Sequence, residues 1–108
     1  MNTLRNRVQL IGNVGNDPEI KTLEEGRKLA KLSVATNEVY YNEKGEKVTD
    51  TQWHVVKAWG KLADIVEKFV KKGREIVLEG KLVHHSWEDK DGQKRYSTEV
   101  VISEILLL

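Results

Sequence analysis

Thr51-Gln52-Trp53-His54-Val55-Val56-Lys57-Ala58-Trp59-Gly60 is the stretch whose reading decides the fold. It is rich in β-branched and aromatic residues and has no breaker before Gly60, which predicts a strand. Side chains alternate faces along a strand. Trp53, Val55, Lys57 and Trp59 therefore share one face, and Gln52, His54, Val56 and Ala58 the other. The second set is small and mostly apolar, as a barrel interior requires. The first places two indoles around a lysine, which is unusual for a face that meets water. The indoles are separated by roughly 20 Å at the usual strand rise. They cannot grip one small ligand together, but each could stack on a different base of an extended chain. The alternative is that both indoles are core, since large aromatics are usually buried and a sheet can have two buried faces. The lysine between them tilts the reading toward a working face.

Upstream, Arg5 to Val14 alternates as a first strand, with Val8, Leu10 and Val14 on one side and Arg5, Arg7, Gln9 and Asn13 on the other. Gly12 falls on the apolar side, where a glycine marks a bulge or a close backbone approach. Gly15-Asn16-Asp17-Pro18 signals a turn, and Ile20 to Leu23 reads as a short extended piece. Arg27 to Tyr40 is a second strand, with Ala30, Leu32, Val34 and Thr36 inward and Tyr40 and Tyr41 at its end. Asn42 to Lys47 is a polar hairpin loop leading into the decisive strand. After Gly60 the period changes. Leu62, Ile65, Val66, Phe69 and Val70 form one apolar stripe on a helix from about Lys61 to Lys72. Lys68, Lys71 and Lys72 suit its C-terminal dipole, and Gly73 ends it.

Glu75 to Trp87 is a fourth strand, with Ile76, Leu78, Gly80 and Leu82 inward and Val77, Glu79, Lys81, Val83, His85 and Trp87 outward. Trp87 thus again shares a mixed face with a lysine. Asp89-Lys90-Asp91-Gly92 is a hairpin turn, and Tyr96 to about Leu107 is the last strand. Three strands, a helix and two strands account for residues 1–108 as one domain. The expected architecture is all-β with one helix: a five-stranded Greek-key barrel with its helix between strands three and four, the oligonucleotide-binding (OB) fold.

The chain has 108 residues, of which 32% are charged and 39% hydrophobic, which suits a globular protein with a single core. No apolar run approaches a membrane span, so no membrane association is expected. There is no cysteine, hence no disulfide framework, which fits a cytoplasmic setting. Eighteen basic and 17 acidic residues leave a net charge of +1, so a claim about nucleic acid must rest on where the charges sit. Motifs for phosphate-binding loops and for serine nucleophiles are missing. His84 and His85 are strand neighbours facing opposite ways and cannot chelate one metal. No catalytic residue, metal or cofactor is expected.

Together, several segments carry a family likeness. They are Asn13-Val14-Gly15-Asn16-Asp17-Pro18-Glu19, Leu32-Ser33-Val34-Ala35-Thr36-Asn37-Glu38, Thr51-Gln52-Trp53-His54, Gly60-Lys61-Leu62-Ala63, Lys72-Gly73, Glu79-Gly80-Lys81-Leu82, and Trp87 followed by Arg95-Tyr96-Ser97-Thr98-Glu99-Val100. In this order, across nearly the whole chain, they resemble the DNA-binding core of the bacterial single-stranded DNA-binding proteins of the homotetrameric type. The resemblance implies that Trp53, Trp59, Trp87 and Tyr40 stack on bases. Position 59 is Trp where Phe is usual, and position 40 is Tyr where Trp is usual; both stay aromatic. It further implies that His54 supports a subunit interface and that the first strand, with Val8 and Leu10, pairs with its copy in a neighbouring subunit. The family normally carries a glycine-rich segment with an acidic tip that recruits replication and repair proteins. That segment is not in this sequence, so tail-mediated recruitment is not supported by it.

The expected function is therefore sequence-independent binding and protection of single-stranded DNA in replication, recombination and repair, in the cytoplasm and on the nucleoid. Such a binder needs π-faces for bases and positive charge for phosphates. Lys57 and Lys81 lie between the indoles, Arg5 and Arg7 on the outer face of the first strand, and Lys44, Lys47, Lys90, Lys94 and Arg95 in or beside the hairpins. Two rivals stand beside this reading. One is a protein-interaction or primosome-type accessory barrel whose outer tryptophans meet a protein partner. The other is a small nuclease, which would need clustered carboxylates and a metal.

Overall fold

The computed structural model describes residues 3–108. The alternating stretches form strands β1 (Val8–Val14), β2 (Glu19–Thr22), β3 (Lys28–Tyr41), β4 (Lys47–Trp59), β5 (Glu75–Glu88) and β6 (Lys94–Leu107), with helix α1 (Lys61–Phe69) between β4 and β5. Along the sheet the order is β1-β5-β6-β4-β3-β2. β1 also pairs with β3 at Asn13↔Ala35 and Val14↔Val34, and this closes five strands into a barrel. β4 and β6 meet in parallel at Val55↔Glu99, Val56↔Val100 and Lys57↔Val101. The short extended piece expected near Ile20 is β2, which pairs only with β3 and adds to the barrel's flank. The five-stranded barrel with its helix between the third and fourth staves is the OB fold expected from the sequence.

The barrel interior holds Val14, Leu32, Val34, Val56, Ile76 and Leu78, with Val66 and Val70 supplied from α1 and the residue beyond it. Full burial of each such side chain stabilises the fold by about 1.5–3 kcal/mol before entropy is counted. α1 is three residues shorter than its apolar stripe suggests. Val70 adopts an extended conformation while remaining buried, so the chain leaves the helix without leaving the core. Of that stripe Val66 and Val70 are buried and Phe69 is exposed, while Ala63 joins the buried face. Lys28 Nζ lies 2.9 Å from Asp64 Oδ1 and also meets Glu67, which ties α1 to β3.

Two glycines are fixed by close approach. A Cβ on Gly12 would sit 2.2 Å from the Ala35 carbonyl oxygen, where β1 and β3 close the barrel. On Gly80 it would sit 2.1 Å from the Val101 carbonyl oxygen. At that point the β5–β6 register shifts, from Glu79↔Glu104 to Gly80↔Ile102, leaving Ser103 as an extra residue. The bulge reverses which side chains of β6 face inward. Ile105 and Leu107 pack on the core beyond it, whereas Val100 and Ile102 do so before it. Glu99 and Ser97 consequently face outward with the tryptophans.

The first strand begins later than its alternation suggests. Arg5 lies in a 3-10 turn, Thr3–Arg5, and Arg7 just precedes β1, so neither sits on the outer face of the strand. Val8 and Leu10 are half-buried and pack against the core. The side chains that β1 presents outward are Gln9, Ile11 and Asn13.

Candidate nucleic-acid interface

The outer face of the sheet carries Trp53 on β4 and Trp87 on β5, 62% and 49% exposed. Both are open to solvent, so the core alternative does not describe them. Trp53 lies over Gly15: a Cβ there would come within 2.2 Å of its Cζ3. Gly15 is held in place from both directions. Its N–H donates to the Ser33 carbonyl at 2.9 Å, and the Ser33 N–H donates to Asn16 Oδ1 at 2.9 Å. The turn after β1 thus forms a floor under the first indole.

Trp59 is different. It is half-buried, and the Arg27 guanidinium lies 4.8 Å from its ring centroid. One of its faces is therefore taken by a cation. Tyr40 is exposed on the β3–β4 hairpin, opposite Val48, which puts it on the pleat of His54 rather than that of Trp53. Tyr41, opposite Lys47, shares the pleat of Trp53 and is 70% exposed. The two hairpins that flank the face are built alike. Asn42 Oδ1 accepts from the N–H groups of Lys44 and Glu46, and Asp89 Oδ1 from those of Asp91 and Gln93. Gly45 and Gly92 supply the left-handed residue, at φ 77° and 78°.

The expected phosphate contacts divide into two groups. Lys44 in the first hairpin, Lys47 opposite Tyr41, and Lys81 on the outer face of β5 are exposed and have no ion pair among the described residues. Lys57, Arg7 and Arg95 are already engaged. Lys57 Nζ is 2.6 Å from Glu99 Oε2, Arg7 Nη2 is 2.6 Å from Glu79 Oε2, and Arg95 Nε is 2.8 Å from Asp89 Oδ2. Arg95 still stands directly across from Trp87, with the rest of its guanidinium fork available. The Asp89 carboxyl is held below its ordinary pKa, first by the backbone amide of Gln93 and then by Arg95. His54 is half-buried, with Nε2 3.0 Å from Thr36 Oγ1, on the inner pleat.

Sequence reasoning missed the centre of this face. A cleft of about 430 Å³ is lined by Lys31, Val55, Lys57, His85, Trp87, Ser97 and Glu99 among others. Glu99 is 4% exposed, and His85 Nε2 lies 2.8 Å from its Oε1. This acidic side chain is thus buried between two basic ones, Lys57 and His85. Strand parity alone, Ser97–Glu99–Val101 against Val100–Ile102, could have found it. A larger cleft, about 530 Å³, lies away from the tryptophans, between α1 and the outer ends of β1, β5 and β6. Near it Ile11 stands opposite Val77, and Val77 opposite Leu106, with Ile11 56% and Leu106 60% exposed.

Comparison with known proteins is consistent across sequence and structure. A single-stranded DNA-binding protein of Chlorobaculum tepidum is 42% identical over 104 residues, covering 95% of this chain and 64% of that protein. One from Xylella fastidiosa is 43% identical over 104 residues, covering 95% of this chain and 76% of that protein. The chain thus spans less than two thirds of the first relative's length. Among solved structures, the single-stranded DNA-binding protein of Plasmodium falciparum, in complex with single-stranded DNA, superposes with a TM-score of 0.87 at 33% identity, over 95% of this chain and 94% of that one. Residues 5–108 match the family described as the single-strand binding protein family, and the chain belongs to it.

Proposed function

We propose that this chain binds and protects single-stranded DNA, largely without regard to sequence, during replication, recombination and repair. The observation that carries the reading is the pair of open indoles, Trp53 and Trp87, on one face of an OB barrel. Every base has a π-face, so stacking tolerates any sequence, and duplex DNA hides those faces. Lys44, Lys47, Lys81 and Arg95 surround the indoles and meet phosphates. Trp59 contributes less than the other two, because Arg27 occupies one of its faces. The structural neighbour bound to single-stranded DNA supports the same ligand.

Residues 1–108 act as one binding domain that works without a catalytic step, in the cytoplasm and on the nucleoid. Among the described residues no helix is long and apolar enough to cross a membrane. The domain assembles as a homo-oligomer, a tetramer by family. The outward apolar row Ile11, Val77 and Leu106 and the open backbone edge of β1 supply the contact.

Titration of intrinsic tryptophan fluorescence with an oligothymidine, at low and high salt, tests the reading. Saturable quenching that duplex DNA does not compete away is expected. Weakening with salt then counts the phosphate contacts, at a slope of about −0.7 per contact for single strands. Absence of quenching and of binding at either salt overturns it.

A further inference from the structure

The chain has three histidines, and their surroundings differ. His54 and His84 lie on the pleats opposite the tryptophans, each against a threonine hydroxyl, Thr36 Oγ1 at 3.0 Å and Thr98 Oγ1 at 2.9 Å. His85 alone shares the outer face with the indoles. It lines the cleft beside Trp87, and its side chain is 51% exposed. Its Nε2 is 2.8 Å from Glu99 Oε1, while Lys57 Nζ is 2.6 Å from Oε2. Lys57 and Glu99 cancel in charge. Lys31, opposite Lys57 on β3, is exposed and has no ion pair among the described residues. The net charge at the centre of this face is therefore set by Lys31 and by the state of the His85 ring.

We propose that His85 is a proton-dependent phosphate-binding residue: its imidazolium meets one phosphate of a strand stacked on Trp87, and its neutral ring does not. This deepens the proposed function and rests on it. Histidine is the side chain whose charge changes in the physiological range. A ring whose Nε2 faces a carboxylate carries a proton there, so the neutral form keeps only an acceptor at Nδ1, and the protonated form gains a second donor. The charges that face the ring come from three strands. Glu99 of β6 attracts the imidazolium, and Lys57 of β4 and Lys31 of β3 repel it. Its neighbours on the same face of β5, Val83 and Trp87, do not titrate, and Arg95 across from Trp87 is paired with Asp89. A phosphate entering the cleft adds attraction. The strand thus draws a proton onto His85, and by reciprocity the proton tightens the strand.

The test titrates the protein with an oligothymidine of about 15 nucleotides, near the span of one barrel, from about pH 5.5 to pH 8. Neither thymine nor the phosphodiester titrates in that range. Affinity is expected to rise about three- to tenfold toward the acid end, as one charge-assisted contact of a half-exposed side chain allows. The salt slope is expected to steepen there by about 0.7, one added phosphate. His85→Gln is expected to lose the acid gain and His84→Gln to keep it. In the unaltered protein, nuclear magnetic resonance of the His85 ring is expected to show proton uptake when the strand is added at about pH 7. That readout decides alone if the Gln variant does not fold. An acid gain undiminished in His85→Gln, a salt slope that ignores pH, or a ring whose ionisation does not respond to the strand overturns the proposal and leaves the stacking function standing. Failure of the strand to bind at every pH overturns both.

Discussion

A tryptophan becomes a platform only when something holds it flat and nothing covers its outer face. Trp53 meets both conditions, with Gly15 beneath and solvent above. Trp53→Ala and Trp87→Ala are each expected to weaken binding to oligothymidine by about 1–3 kcal/mol, the range typical of this family's stacking platforms, with the far-ultraviolet spectrum unchanged. Unchanged affinity in a folded variant would remove that residue from the site. Gly15→Ala is expected to weaken binding as well, although residue 15 touches no DNA in this scheme. Gly15 does not adopt a left-handed backbone, so the new methyl group acts through the indole it displaces. Anisotropy of a labelled oligonucleotide checks this; an affinity equal to that of the parent protein would show that the ring moves without consequence. The indoles were legible in the sequence because alternation assigns faces. The state of Trp59 was not, because Arg27 lies 32 positions away and only the fold sets it over the ring. Nor was the engagement of Lys57 by Glu99, which crosses from β4 to β6.

Strands and hairpins were read well where the pattern is local. β3, β4 and β5 fall close to their expected bounds, and both hairpin turns carry the glycine and the Asn or Asp that their geometry needs. The misreadings lie where tertiary contact overrides the pattern. β1 starts after Arg7, α1 stops at Phe69, and β6 changes phase at Ser103. Alternation cannot announce a bulge that exists only because Gly80 lets another strand come near. At this scale the β5–β6 hairpin has a pH dependence. The Asp89 carboxylate is stabilised by the Gln93 amide foremost, with Arg95 and the Asp91 amide adding to it against a desolvation cost. Its pKa in the fold is thus lower than in the unfolded chain. The contribution is fully present above the ordinary carboxyl range and is lost as pH falls through the depressed folded value. Amide exchange at Asp91 and Gln93, measured against intrinsic rates, is expected to lose protection in acid in the parent protein. In Asp89→Ala it should be fast at every pH; equal protection in the two proteins would count against this cap. Lys28 has the opposite sign. Glu67 first and Asp64 second hold its ammonium above the ordinary value, so its tie to α1 persists until alkaline pH.

For the whole molecule, the barrel leaves an apolar row uncovered, and an isolated subunit would expose Ile11, Val77 and Leu106 together. Ile11→Lys combined with Leu106→Glu is expected to lower the assembly state in sedimentation while leaving the barrel folded. A parent protein that sediments as a monomer at micromolar concentration would refute the assembly instead. The closed seam has a further consequence, in time rather than in space. β3–β4 and β5–β6 are hairpins whose partners are near in the chain, but β1 reaches β5 by pairing Val8 with Gly80, and β4 reaches β6 by pairing Val55 with Glu99. Loop-closure entropy must be met before such pairings return anything, so barrels of this kind fold in milliseconds to seconds. The hairpins, which carry Trp53 and Trp87, should therefore form before the seam that joins them into one surface. Val14→Ala, at the seam, is then expected to speed unfolding far more than it slows refolding in stopped-flow traces. Equal loss in the refolding limb would place the seam in the nucleus. On the expected order, a chain emerging from synthesis owns its aromatic side chains early and its binding face last.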